Sequence, residues 1–238
     1  MRGPLGQDVW ALNDAISGIG TKESVLNDVL LGRTNADMNA IKNEYQRVYR
    51  KSLESEVRGD LSMKTERLFT MVLAATRADE STPVYPDQLN RDVHELYQAT
   101  EGSRMGSDQI TVCRILCSRS DGQIRAISAE YNRQYHNQLS KVLTKSFDGH
   151  MHDALLRILK VAEDKAMADA QELDYCMKGI GTKDRLLVNR LVRIHWNKAH
   201  MQQVKGAYRV HTKRDLAAAV KSETGGDYQR LMVALVES

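Results

Sequence analysis

An internal repeat constrains this chain more than any other feature. Shifted by 86 positions, Arg33, Ile41, Tyr45, Tyr49 and Leu53 land on Arg119, Ile127, Tyr131, Tyr135 and Leu139 with no insertion. A second recurrence has its own interval, because Gly18-Ile19-Gly20-Thr21 returns residue for residue as Gly179-Ile180-Gly181-Thr182. Each repeated unit is then one supersecondary module that covers its apolar face by packing on its neighbours. The apolar spacing inside the first unit is helical: Val9, Leu12 and Ile16; Val25, Leu26, Val29 and Leu30; Met38, Ile41, Tyr45 and Val48; Leu53 and Val57; Leu68, Met71, Val72 and Ala75. Asn35 is placed to cap the third of these helices. An all-α fold of tandem five-helix repeats is predicted, and an aromatic content of 5% with three prolines agrees with it.

The repeats also set the boundaries. Residues 81–87 hold two of the prolines and read as extended, since each proline restricts the residue before it and lacks an amide donor. The pattern restarts with Leu89, Val93 and Leu96, passes a loop from Glu101 to Gly106, and continues through Ile110, Cys113 and Cys117 to Ile124, Ile127, Tyr131 and Tyr135. A third unit runs from near Ala168 to Leu235 with additional residues around Arg193 to His200. The expected modules are 8–78, 88–163 and 167–237, with a linker at 79–87.

Composition narrows the functional classes. The chain has 34 basic and 31 acidic residues, a balance that points to no specific nucleic acid. A denser basic stretch holds Arg190, Arg193, Lys198, Lys205, Arg209, Lys213 and Arg214, which reads equally as a solvated helix face or as an aid to meeting an anionic surface. No apolar run reaches the roughly 18 residues of a membrane-spanning helix, and no leader is evident, so membrane contact is expected to be peripheral. Cys113, Cys117 and Cys176 lack a zinc framework and are expected as small core residues in a reducing compartment, the first two sharing a helix face with Ile110. The seven histidines form no HExxH and no close Cys-His set, so the chain is not expected to be an enzyme.

Chemistry concentrates at the repeated tetrapeptide. Each copy sits where one helix stops and another starts, with glycine able to enter the left-handed region and threonine able to receive orphan amides. The carbonyls ending the first helix have no intrahelical partner, which gathers hard oxygen donors in a short loop suited to a hard cation. A carboxylate follows each copy between two helices, Asp60 after the first and Glu223 after the second.

These residues resemble an annexin repeat. The resemblance rests on Gly-Ile-Gly-Thr-Lys with its later acid, on Leu30-Leu31-Gly32-Arg33-Thr34-Asn35, and on residues 221–228, Lys-Ser-Glu-Thr-Gly-Gly-Asp-Tyr. Residues 90–97 after the linker resemble the connector before the family's third repeat, so the chain is similar to repeats two to four. The resemblance implies calcium-dependent peripheral binding to acidic phospholipid membranes on the cytoplasmic side. It implies Ca2+ ligands at the carbonyls of Ile16, Gly18 and Gly20 with Asp60, and at those of Met177, Gly179 and Gly181 with Glu223. In the middle repeat Glu101, Arg104 and Gly106 would be the carbonyl donors, but Ser146 stands where the acid belongs and the nearest acid is Asp148. Exposed tips at Ile19, Met105 and Ile180 either dip into headgroups or only fix their loops. Absence of a further repeat implies an uncovered apolar face around Leu186, Leu191 and Met201, and hence self-association. The alternative is a helical-repeat scaffold for protein partners with partly decayed calcium sites.

Overall fold

A computed structural model of the chain describes residues 3–17, 20–61, 63–103, 106–179 and 181–237. The secondary structure of these residues is helical, with no strand among them. The helices are α1 (Pro4–Ile16), α2 (Glu23–Leu30), α3 (Asn35–Tyr49), α4 (Leu53–Asp60), α5 (Met63–Leu73), α6 (Pro86–Ala99), α7 (Gln109–Ser118), α8 (Asp121–Tyr135), α9 (Leu139–Ser146), α10 (Gly149–Met177), α11 (Asp184–His195), α12 (Lys198–Thr212), α13 (Leu216–Glu223) and α14 (Gly226–Glu237). Two compact units divide the chain: Met1–Ala11 with Asp164–Ser238, and Leu12–Glu163.

The repeat is written into the helix ends. Thr34, Ser120 and Asn197 cap α3, α8 and α12, each side chain accepting the amide three residues on, from Asp37, Gln123 and His200. Those helices close on Arg50, His136 and Lys213, all in the left-handed region at φ 58, 53 and 61. Leucine then opens each of the short helices α4, α9 and α13. The largest fully buried side chains include Tyr45, Tyr131 and Tyr208, one from the same place in each module. Asn35, expected as the cap of α3, is its first helical residue. Its side chain instead binds the chain just before the linker, accepting from the Arg77 amide at 3.2 Å and donating to the Arg77 carbonyl at 2.9 Å.

The residues leading into the linker are tied to both of the modules it joins. Beyond Asn35, the Arg77 guanidinium donates to Asp121 at 2.6 Å, and the Ala78 amide donates to the Ser118 carbonyl at 2.7 Å. Helix α6 begins at Pro86, inside the stretch expected to be extended, because a proline at the first helical position loses no hydrogen bond and already has the required φ. At the other boundary α10 contains a break at Asp164 (φ −155, ψ 96). The Asp164 carboxylate accepts the Met167 amide at 2.9 Å, so it caps the turn that follows.

Burial corrects three apolar expectations. Val48 and Ile110, placed on inward stripes, are 46% and 49% exposed. Cys113 is buried without Ile110, which lies in the first turn of α7 on its exposed side. Leu191 and Met201, expected on an uncovered face, are buried in the core of their own module with Leu187, Val204, Tyr208 and Leu216, while Leu186 packs half-buried against that core. The N-terminal residues join the same unit: the Gln7 amide donates to Asn189 at 2.8 Å, and the Arg185 guanidinium lies 5.7 Å from the Trp10 ring. No helix among the described residues is long and apolar enough to cross a membrane.

Candidate calcium loops

Two loops share one construction. In the first, α1 ends at Ile16 and the amide of Lys22 returns to the carbonyl of Ala15 at 3.1 Å. In the second, α10 ends at Met177 and the amide of Lys183 returns to the carbonyl of Cys176 at 2.9 Å. Positive φ at Gly20 (80), Gly179 (106) and Gly181 (77) lets the chain double back, a conformation a side chain resists. The lysine after each threonine clasps the last turn of the helix before it. Lys22 pairs with Asp14 at 2.8 Å, whereas Lys183 sits 3.1 Å from the ring centroid of Tyr175.

This folding leaves oxygen atoms unclaimed. The carbonyls of Ile16, Gly20, Met177, Gly179 and Gly181 accept no hydrogen bond from a described residue. Gly18, expected among the donors, lies outside the described residues, as do Ile19, Arg104, Met105 and Ile180. Carbonyls left without an amide partner still need a donor or a cation.

The two acids occupy equivalent places, each the last residue of its eight-residue helix, α4 or α13. Asp60 is brought onto its loop by Thr21, whose hydroxyl donates to the Asp60 Oδ2 at 2.6 Å and lies 3.1 Å from its carbonyl oxygen. The Thr182 hydroxyl instead donates to Asp184 in the first turn of α11. The turn after Glu223 is held by Gln229, whose amide donates to the carbonyls of Lys221 and Thr224 at 2.6 and 2.7 Å. Thr21 was not among the expected site residues, although its identity in both tetrapeptide copies was the available signal.

A buried tyrosine steadies the helix leading into each loop. The Tyr45 hydroxyl donates to Asn13 Oδ1 at 3.3 Å, and Tyr208 is hydrogen-bonded to Asp174, the same position in the other module. Burial pushes the Tyr45 phenol up to about 12, with Glu56 and Tyr49 adding to the effect, so it remains a neutral donor.

The middle module shares the buried tyrosine and a glycine at positive φ, Gly106, but differs at the other points. Its loop is longer, closing from the Asp108 amide to the Ala99 carbonyl at 2.8 Å. The Glu101 carboxylate is taken by the Tyr131 hydroxyl and the Asn137 amide, both at 2.9 Å. The Gly106 carbonyl receives the Ser103 hydroxyl, and Ser146 ends α9 where Asp60 and Glu223 end their helices. A neutral hydroxyl does not supply the charge a divalent cation needs. The middle loop therefore lacks the carboxylate that the outer two have.

Among the described residues no three His, Cys, Asp or Glu side chains gather around one point. The outer loops instead offer mainly backbone oxygens. Tandem five-helix modules, two of them carrying a carbonyl-rich loop between their first two helices, define a class of protein, and comparison with known proteins identifies it. The annexin family model matches residues 7–72, 91–158 and 168–235, and the chain belongs to the annexin family. Annexin C1 of Cryptococcus neoformans var. grubii is 41% identical over 99% of the chain and 50% of its own length. Human annexin A7 is 34% identical over 98% of the chain and 47% of its own length. A solved structure of annexin A8 with an intact N-terminus superimposes with a TM-score of 0.94 at 29% identity, covering all of this chain and 73% of that one. The chain thus spans about half the length of these two curated relatives.

Proposed function

We propose that the chain binds acidic phospholipid surfaces peripherally, on the cytoplasmic side, through calcium held at the two outer loops. The ligands are the carbonyls of Ile16, Gly18 and Gly20 with the carboxylate of Asp60, and those of Met177, Gly179 and Gly181 with Glu223. The contact between Thr21 and Asp60 carries this reading, because it holds a carboxylate against a loop whose Ile16 and Gly20 carbonyls have no partner among the described residues.

A bound calcium ion supplies positive charge and open coordination positions that lipid phosphate oxygens can fill. The chain does the rest. Glycines at positive φ turn the carbonyls together, Thr21 orients the acid, and Lys22 and Lys183 fix the helix ends. Calcium and lipid affinities are then coupled, each ligand strengthening the other. No catalytic role is assigned to any residue.

Co-sedimentation with phosphatidylserine vesicles in calcium or in chelator tests the proposal. Binding should depend on calcium and weaken in Asp60→Asn and Glu223→Gln with helicity unchanged. A calcium midpoint unmoved in both variants would overturn the ligand assignment. The scaffold alternative predicts no calcium dependence at all.

A further inference from the structure

We infer that the middle module holds a phosphate-bearing anion directly, without calcium, in a groove between α9 and α10. The groove is lined by Ser140, Lys141, Thr144, Lys145, Leu156 and Lys160. The three lysines are exposed, and none has a carboxylate partner among the described residues. Asp153, on the same stretch of α10, is engaged by His152 at 2.8 Å. The Thr144 hydroxyl donates to the Ser140 carbonyl at 2.9 Å and lies 3.2 Å from His152 Nε2.

The repeat supplies an internal control. The leucine that opens α4, α9 and α13 sets the register of the first groove wall, and the first residues of α5, α10 and α14 set that of the second. At the positions of Lys141, Lys145 and Lys160 the first module has Ser55, Gly59 and Ala74, and the third has Ala218, Ser222 and Glu237. Those modules carry a cation at the position of Thr144, and the Arg58 found there lies 3.5 Å from Glu66. The unpaired cationic trio is thus confined to the module whose acid is replaced by Ser146.

The C-terminal end of α9 accounts for Lys145 alone, since a cation there offsets the helix dipole. It does not account for Lys141 or for Lys160 on the facing helix. Three unpaired ammonium groups around one groove, with Ser140 offering a hydroxyl, match the charge and oxygen acceptors of a phosphate group. Where the outer loops need a dication to meet an anion, the middle module meets it with its own charge. The inference does not rest on calcium binding at the outer loops.

The test uses the full chain in chelator with two probes. One is vesicles of phosphatidic acid and phosphatidylcholine in equal parts, and the other is inorganic phosphate followed by NMR. Binding should fall with added salt and drop roughly fivefold per lysine removed, or roughly a hundredfold in the combined Lys141→Gln, Lys145→Gln and Lys160→Gln variant. The combined Lys→Arg variant should keep binding, which separates lost charge from lost fold. Asp60→Asn with Glu223→Gln should bind as the parent does in chelator, so failure at the calcium loops is distinguishable from failure here. A response to free phosphate assigns the groove to the phosphate group itself. Vesicle binding without that response assigns it to headgroups presented at a surface. No binding of either probe in chelator, or binding that survives the combined Lys→Gln change, would overturn the inference.

Discussion

Thr21 makes Asp60 more than an acid near a loop. Its hydroxyl holds Oδ2 and leaves Oδ1 without a partner among the described residues, so the carboxylate is oriented by the loop itself, as the proposed calcium site requires. Removing the hydroxyl in Thr21→Val should lower calcium affinity roughly tenfold with the ligands intact, as loss of an orienting partner does at other metal sites. Asp60→Asn should cost more, since it removes the charge itself, and Asp148→Asn should change nothing. Calcium titrations monitored by vesicle co-sedimentation rank the three, and equal midpoints for Thr21→Val and the parent would remove Thr21 from the site. A second residue ties stability to pH. His150 is buried and lies 2.9 Å from Asn27 Oδ1. Burial lowers its pKa, outweighing the opposing pull of Glu23 and Asp153. As pH falls below the unfolded value of about 6.5, the unfolded chain takes up a proton that the folded chain resists, so stability is lost on acidification. The thermal midpoint should therefore drop less in His150→Gln than in the parent between about pH 7 and pH 5.5. Parallel curves would show that other groups dominate.

At the level of helices, the sequence is most informative where local chemistry decides the outcome. Thr34, Ser120 and Asn197 stand at the same place in three modules and use three different side chains for one task, accepting an orphan amide. Thr34→Ala and Asn197→Ala should each destabilise by about 1 kcal/mol. Ser120→Ala should cost more, because Ser120 and Gln123 satisfy each other's backbone amides in a capping box. Thermal midpoints of the three variants test the order, and a Ser120→Ala loss no larger than that of Thr34→Ala would contradict it. The helices themselves were legible, since Leu12, Leu26, Ile41, Leu53 and Leu68 each belong to a helically spaced apolar stripe of one of the five helices and are all buried. Val48 and Ile110 have the same spacing yet face outward, because periodicity fixes a stripe but not how far its edge is covered. Thr21 was passed over for a related reason. A threonine at a helix start has a sufficient local role, and its reach to Asp60 depends on the packing of α4.

For the whole molecule, the repeat register was readable because each module solves the same packing problem, shown by Tyr45, Tyr131 and Tyr208 at equivalent buried positions. What the register could not show is which apolar residues a module keeps for itself. Leu191 and Met201 were expected to lie uncovered and to drive self-association, but they are 0% and 1% exposed within their own core. The two arrangements give opposite predictions for one substitution. On an uncovered face, Leu191→Ala would leave the fold intact and improve solubility. In a core shared with Leu187, Met201, Val204 and Tyr208, it opens a cavity and should destabilise that unit by about 3 kcal/mol. The variant should then melt at a lower temperature and bind more apolar dye near its midpoint, while Leu231→Ala, at a position 47% exposed, should melt close to the parent. Sedimentation velocity completes the comparison, because any self-association of the parent should persist in Leu191→Ala below its melting temperature. If association disappears while the melting temperature holds, Leu191 contributes to an interface rather than to the core.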